Sequence, residues 1–185
     1  MTYQELYTKK VVPELKKQFG YKNVMAMPRL VHVVLNIGVG RNRGDEKYMK
    51  TVESSLMRIT GQKPVWTKAK KSIAAFKIRE GQTVGVKVTL RGKKMEDFIM
   101  KLISAAFARI HDFRGIPSQS VDARGNCTVG FREHLAFPEI KPDEVERVHG
   151  LEVSIHTSAK NREEGLVLLK LLGFPFQSES GIKGV

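Results

Sequence analysis

Apolar and polar residues alternate over residues 30–40. Val31, Val33, Leu35, Ile37 and Val39 fall on one face and His32, Val34, Asn36 and Gly38 on the other, the period-two pattern of a strand with one dry side. The alternation returns at 84–91, with Val84, Val86, Val88 and Leu90 inward and Gly85, Lys87, Thr89 and Arg91 outward, and at 151–157, with Leu151, Val153 and Ile155 inward. A shorter strand is predicted over 128–132. Helical spacing governs the stretches between. Asp45 stands at a cap position, and Tyr48, Val52, Leu56 and Ile59 recur at helical intervals up to the stop at Gly61. Phe98, Ile99, Leu102, Ala106 and Ile110 form a wide stripe over 95–110, with Glu96 and Asp97 near the positive end of the helix. Asn161 and Glu164 open a last helix that carries Leu166, Leu169 and Leu172 to Gly173 and Pro175. At the start, Thr2 and Glu5 have capping-box spacing, and Leu6, Val12, Leu15 and Phe19 predict two short helices broken at Pro13. Residues 66–79 read as a hairpin: a short strand, the loop Lys68-Ala69-Lys70-Lys71-Ser72, and a second strand through Phe76 and Ile78. A polar loop follows over 111–126.

Strands of this kind with helices between them predict an α+β fold: a two-layer sandwich, mostly antiparallel sheet, with helices on one face and the other face open. The chain has 185 residues, enough to bury roughly 70% of the unfolded surface in one core without staples. A single domain is expected over 1–176, with 177–185, rich in Ser and Gly, as a disordered tail. The lone cysteine, Cys127, has no partner for an internal bridge, which suits a reducing compartment, the cytoplasm. No apolar run approaches the roughly 18 residues of a spanning helix. The first residues carry Glu5 and no basic segment ahead of an apolar one. Neither a membrane span nor a signal peptide is expected.

Charge adds the first functional clue. Lys and Arg number 32 against 19 Asp and Glu, a formal net charge of +13, which points to a polyanionic partner and first to nucleic acid. The excess is concentrated. Residues 66–94 hold nine basic side chains, Lys68, Lys70, Lys71, Lys77, Arg79, Lys87, Arg91, Lys93 and Lys94, against the one acid Glu80. Residues 139–146 are acidic, with Glu139, Asp143, Glu144 and Glu146 against Lys141. If the strands at 30–40 and 84–91 share a sheet, Asn36, Lys87, Thr89 and Arg91 project from its helix-free side. Cations there would hold phosphates, while Asn and Thr, which donate and accept, would read bases or 2′-hydroxyls. A polar outer face is equally what any one-sided sheet shows to water. The same choice holds for Lys9, Lys10, Lys16 and Lys17 on the first helices: a solvated basic face or an RNA contact.

Catalytic templates fail one after another. Gly38-Val39-Gly40 precedes a helix, but Arg43 stands where the third glycine of a dinucleotide motif belongs. Gly92-Lys93-Lys94 has Lys87 in place of the first glycine of a phosphate loop and no following Ser or Thr. The histidines at 32, 111, 134, 149 and 156 never take H-x-x-x-H spacing, Cys127 has no C-x-x-C partner, and Ser118 and Ser120 make no nucleophile elbow. No cofactor, metal or enzymatic activity is expected. A rival, an RNA-modifying enzyme, would need one of these sites.

Several stretches resemble a known family. Asn36-Ile37-Gly38-Val39-Gly40, Thr60-Gly61-Gln62-Lys63-Pro64, the run from Lys70 to Arg79, and Val86-Lys87-Val88-Thr89-Leu90-Arg91-Gly92 are similar, in order and spacing, to the bacterial large-subunit ribosomal protein number five family. Asp112-Phe113-Arg114-Gly115-Ile116 and Gly150-Leu151-Glu152-Val153-Ser154-Ile155 match it too. The resemblance runs from Thr2 to Phe176. It implies a structural constituent of the 50S subunit that binds 5S rRNA on its open sheet face and anchors it in the central protuberance, beside 23S rRNA and neighbouring central-protuberance proteins. It carries the 5S-reading role to Asn36, Gln62 and Thr89, with Lys87 and Arg91 as cations of the same face. It implies that the basic loop, with Lys68, Lys70, Lys71 and Ser72, reaches P-site tRNA, and that a bridge to small-subunit protein thirteen involves His111, Asp112, Arg114, Glu139 and Asp143. The stacked aromatics of an RNP1 motif are missing from 84–91, so recognition is expected to lean on hydrogen bonds and RNA shape. For Trp66 and Phe76, core packing is expected ahead of base stacking. An RNA-binding regulator acting off the ribosome is a further alternative.

Overall fold

The computed structural model describes residues 2–40, 42 and 44–177. The tail expected to be disordered lies, from Ser178 on, outside the described residues. Five strands, β1 (Leu30–Gly38), β2 (Val65–Lys68), β3 (Thr83–Leu90), β4 (Cys127–Phe131) and β5 (Leu151–Thr157), form one open sheet in the order β2-β3-β1-β5-β4. With the helices around it, this is the expected α+β fold with an open antiparallel sheet. The chain also divides into two compact units, Met1–Val33 with Arg91–Val129 and Ser154–Val185, and Val34–Leu90 with Gly130–Val153.

In the first unit the chain begins with a capping box. The Thr2 N–H donates to Glu5 Oε2 (3.1 Å) and the Glu5 N–H to Thr2 Oγ1 (3.4 Å), which satisfies two of the donors a helix start leaves open. From there α1 (Tyr3–Leu6) runs through a π-turn at Tyr7–Val11 into α2 (Val12–Phe19) with no loss of helical backbone. The predicted break at Pro13 does not occur. The wide turn sends the Val12 N–H back to the Tyr7 carbonyl, and this shift of register just ahead of Pro13 accommodates a residue that has no N–H to donate. The stripe predicted over 95–110 starts three residues early as α4 (Gly92–Lys101) and continues through a second π-turn, Leu102–Ala106. Val11, Leu15, Phe98, Ile99, Leu102, Ile155, Leu168 and Leu169 are buried here, each aliphatic side chain contributing about 1.5–3 kcal/mol of burial. Val31 breaks the alternation: it is 46% exposed, while Leu30 is buried. Cys127 is fully buried, and desolvation, with Asp122 adding, pushes its thiol up to about 12.

Helix α5 (Arg162–Leu172) ends at Gly173, as its sequence predicts. Its start departs from the capping expectation, since Asn161 makes no side-chain cap bond and Glu164 instead accepts the Lys160 N–H (2.9 Å). Gly165 lies against Gly125: a Cβ there would strike the Gly125 Cα and carbonyl oxygen. In an open helix Gly→Ala adds up to about 1 kcal/mol of stability. Here Gly165→Ala is expected to remove about 2 kcal/mol through overpacking, read as a lower urea midpoint by circular dichroism.

In the second unit α3 (Glu46–Thr60) is capped at both ends as its sequence predicts. The Asp45 side chain accepts the Tyr48 N–H (3.1 Å), and Gly61 takes a left-handed conformation with φ 61°. Val52, Leu56 and Ile59 of α3 are buried, as are Leu35, Ile37, Val86, Val88, Leu90 and Val153 of the strands. The outer side of α3 draws on the acidic stretch: Lys47 pairs with Glu146 (2.8 Å), Arg147 with Asp45 (2.9 Å), and Arg58 with Glu144. These are exposed pairs, each contributing at most about 1 kcal/mol. Two histidines are buried in this unit. The His134 and His149 rings stack with centroids 3.8 Å apart and planes 3° off parallel, and the His149 backbone N–H donates to His134 Nδ1 at 3.3 Å. Burial first, and then the neighbouring His134, lowers His149 to about 4; burial lowers His134 as well.

Candidate nucleic-acid interface

β1 and β3 are sheet neighbours, so their outward residues line up on one surface of the second unit. Asn36 and Lys87 are exposed there and Thr89 is half-buried. β2 extends the surface, pairing antiparallel with β3 so that Val65 stands opposite Lys87 and Thr67 opposite Gly85. Gly85 is required at this point, because a Cβ would lie 2.9 Å from both the Ile37 carbonyl oxygen and Thr67 Oγ1. Val65 is 61% exposed beside Lys87, an apolar spot on the open face.

Gln62, just beyond the α3 cap, reaches the same row. Its Nε2 donates to the Thr89 carbonyl oxygen at 3.4 Å, a long bond that aims the amide without saturating it, since the group still offers a donor and an acceptor. Asn36, Gln62, Thr89 and Lys87 thus belong to one face of one unit. Arg91 is exposed one residue past β3 and belongs to the other unit. There, His32 and His156 project from β1 and β5 and stack at 4.2 Å. Burial, then His156, then Arg91 lowers His32. Period-two alternation marks both histidines as outward, but their contact depends on the β1-β5 pairing.

The segment after β2 differs from the expected hairpin. No second strand forms at 73–79: Ala74–Phe76 is a 3-10 turn, Lys77 takes φ 52°, and only an isolated bridge joins Ile73 to Ile78. β2 pairs with β3 instead, and residues 69–82 extend that hairpin. At its base the Ala69 N–H donates to the Gln82 carbonyl (2.9 Å) and the Gly81 N–H to the Ala69 carbonyl (3.0 Å). Lys68, at the end of β2, and Lys70 and Lys71, on this extension, are exposed. The Ser72 hydroxyl oxygen accepts the Glu80 N–H (2.9 Å), so Ser72 clips the loop to its own return limb. Trp66 stands opposite buried Val86 and is half-buried, in line with core packing. Phe76 is not in the core: it is 67% exposed, because the 3-10 turn lifts it off the sheet.

The candidate bridge residues fall in both units. His111, Asp112 and Arg114 are exposed in the first, and in the second Asp143 is exposed and Glu139 half-buried. Among the described residues no group of three or more His, Cys, Asp or Glu is placed to hold a metal ion, and no helix is long and apolar enough to cross a membrane.

An open sheet carrying amides, hydroxyls and cations, with a lysine-bearing loop at its edge, puts the chain in the class of basic α+β proteins built around an exposed sheet face. Comparison with known proteins is specific. The family model of ribosomal protein L5 matches residues 23–79, and that of the C-terminus of the same ribosomal family matches residues 83–176. The large ribosomal subunit protein uL5 of Halothermothrix orenii is 51% identical over 172 residues, 93% of this chain and 96% of that protein. That of Colwellia psychrerythraea is 50% identical over 175 residues, 95% and 97% of the two. The chain belongs to the ribosomal protein L5 family. It is a structural component of the cytoplasmic ribosome rather than an enzyme.

Proposed function

We propose that the chain is a constituent of the large ribosomal subunit that binds 5S rRNA through the open face of its second unit and anchors it in the central protuberance, against 23S rRNA and the neighbouring proteins there. The observation that carries this reading is the tie of Gln62 to the Thr89 backbone beside Lys87 and Asn36. It sets neutral reading groups beside a phosphate-binding cation, the division of labour that RNA recognition uses. Arg91 adds a cation at the end of β3. The names of the relatives, large ribosomal subunit proteins, support the location.

The test uses the three uncharged positions. Asn36→Ala, Gln62→Ala and Thr89→Ala are each expected to weaken 5S rRNA binding by about 1–3 kcal/mol with little change in salt dependence. Thr89→Ala keeps the carbonyl that Gln62 contacts, and the Gln62 bond is long, so the folded chain tolerates each change. Wild-type affinity in all three, by filter binding, would reduce the face to a solvated surface.

In the same reading the loop with Lys68, Lys70, Lys71 and Ser72 touches P-site tRNA. Exposed lysines where the hairpin leaves the sheet grip phosphates without regard to sequence, which suits a partner that arrives and leaves in each elongation cycle. Replacing the three lysines by Ala is expected to leave 5S binding and 50S assembly intact and to speed tRNA dissociation from the P site. Collapse of 5S binding with normal P-site retention would assign the loop to 5S rRNA instead. His111, Asp112, Arg114, Glu139 and Asp143 complete the reading as the bridge to small-subunit protein thirteen.

A further inference from the structure

The outward side of the strands in the first unit carries a cluster of its own. The His32 ring on β1 and the His156 ring on β5 stack with centroids 4.2 Å apart and planes 14° off parallel. Both residues are half-buried, and Arg91, one residue past β3, is exposed and close enough to act on His32. Among the described residues His156 and Arg91 are the charged or titratable groups that act on His32, and no carboxylate is among them. β1 carries no other charged side chain, and β5 carries one acid, Glu152, four residues before His156. β4, on the far side of β5, carries none. The Asp122 carboxylate ahead of β4 already accepts the Arg124 and Asn126 N–H groups and the Asn126 amide.

None of His32, His156 and Arg91 makes a side-chain hydrogen bond or ion pair with another described residue. A neutral imidazole offers one donor and one acceptor, an imidazolium two donors, and a guanidinium donors alone. Once the stacked pair holds a proton, the cluster is a set of donors, whose match is a group that only accepts, and a phosphate is such a group. The stacking couples the two rings, since a proton on one opposes a proton on the other. Burial, His156 and Arg91 hold His32 below the ordinary histidine range, so near pH 7 the free ring is neutral. An anion set beside the rings acts in the opposite direction and favours the proton.

We propose that His32, His156 and Arg91 seat one phosphate of the bound 5S rRNA backbone. The imidazole pair takes up a proton from solvent as the seat fills. The proposal rests on the reading of the chain as a 5S rRNA-binding protein and adds to it a proton-linked contact on the first unit, apart from the reading row of the second.

The full chain would be titrated with 5S rRNA by calorimetry near pH 7 in two buffers of different ionisation enthalpy, which counts the protons taken up. Filter binding at fixed salt from pH 8 to 6, with the fold checked by circular dichroism, gives the matching affinities. The expected result is net proton uptake and an affinity that rises about tenfold over that range, within the limit of about tenfold per pH unit that one linked proton sets. The double variant His32→Gln, His156→Gln, whose amides do not titrate, should abolish the uptake and flatten the profile. His32→Lys, a permanent cation, should hold at pH 8 the affinity that the wild type reaches at pH 6. Absence of uptake in the wild type, or the same uptake in the folded double variant, while 5S rRNA still binds, would overturn the proposal and leave the 5S reading standing. Inorganic phosphate alone, if it gave the same uptake, would assign the seat to a free anion and overturn the RNA contact. A folded wild-type chain that does not bind 5S rRNA would overturn both.

Discussion

Raising monovalent salt from about 50 to 200 mM is expected to weaken 5S rRNA binding about a thousandfold, the loss that release of counterions from roughly six phosphate contacts produces. The cations for such a count are present outside the three lysines assigned to tRNA: Lys77, Arg79, Lys87, Arg91, Lys93 and Lys94 are all exposed. The acidic stretch offers little internal competition for them, because Glu144 and Glu146 are paired with Arg58 and Lys47 of α3. A plot of log affinity against log salt checks the count. A slope of one or two contacts would mean that the basic segment faces water and that neutral groups carry nearly all of the binding.

Acid is expected to destabilise the second unit before its carboxylates titrate. His149 is held near 4 in the folded chain by burial and by His134, against about 6.5 when unfolded. Below about pH 6.5 the unfolded chain therefore binds a proton that the folded chain refuses, so stability is full above that pH and falls as pH drops toward 4. The total loss is about 3 kcal/mol, of which about 2 kcal/mol appears between pH 7.5 and 5. His134, lowered by the same burial, acts in the same direction. The lowered carboxylates enter later. Asp45, held by the Tyr48 N–H, and Glu144, held by Arg58, lose their contributions only below the ordinary carboxylate range. Urea denaturation at the two pH values measures the difference, and His149→Leu should flatten it. An equal loss in that variant would place the acid sensitivity elsewhere.

The elements legible in the sequence are those written by a local rule. Alternation fixed the length of β5 to the residue, and Asp45 with Gly61 bounded α3 because each cap is a contact within four residues. The errors fell where a neighbour outweighed the pattern. Phe76 and Ile78 alternate like strand residues, but β3 takes the hydrogen bonds of β2, and residues 74–77 close into a turn. Pro13 has the look of a helix breaker, and a π-turn one step earlier absorbs it. At the interface, period two placed Asn36, Lys87 and Thr89 outward, whereas the Gln62 contact joins residues 27 apart. Nothing in the sequence pattern foretold that His134 and His149 stack, because their meeting depends on how separate segments pack.

The burial of Cys127 has a use at the bench. With its thiol pushed up to about 12, about one molecule in ten thousand carries the reactive thiolate at pH 8. The native cysteine is therefore silent toward maleimides and alkylating reagents as long as the chain is folded. A cysteine introduced at the exposed Lys70 would be the one responsive thiol of these 185 residues, with no need to delete Cys127 and leave a cavity in the core. Dyes, spin labels or photocrosslinkers attached there would report on the loop alone, and labelling of Cys127 would itself register unfolding.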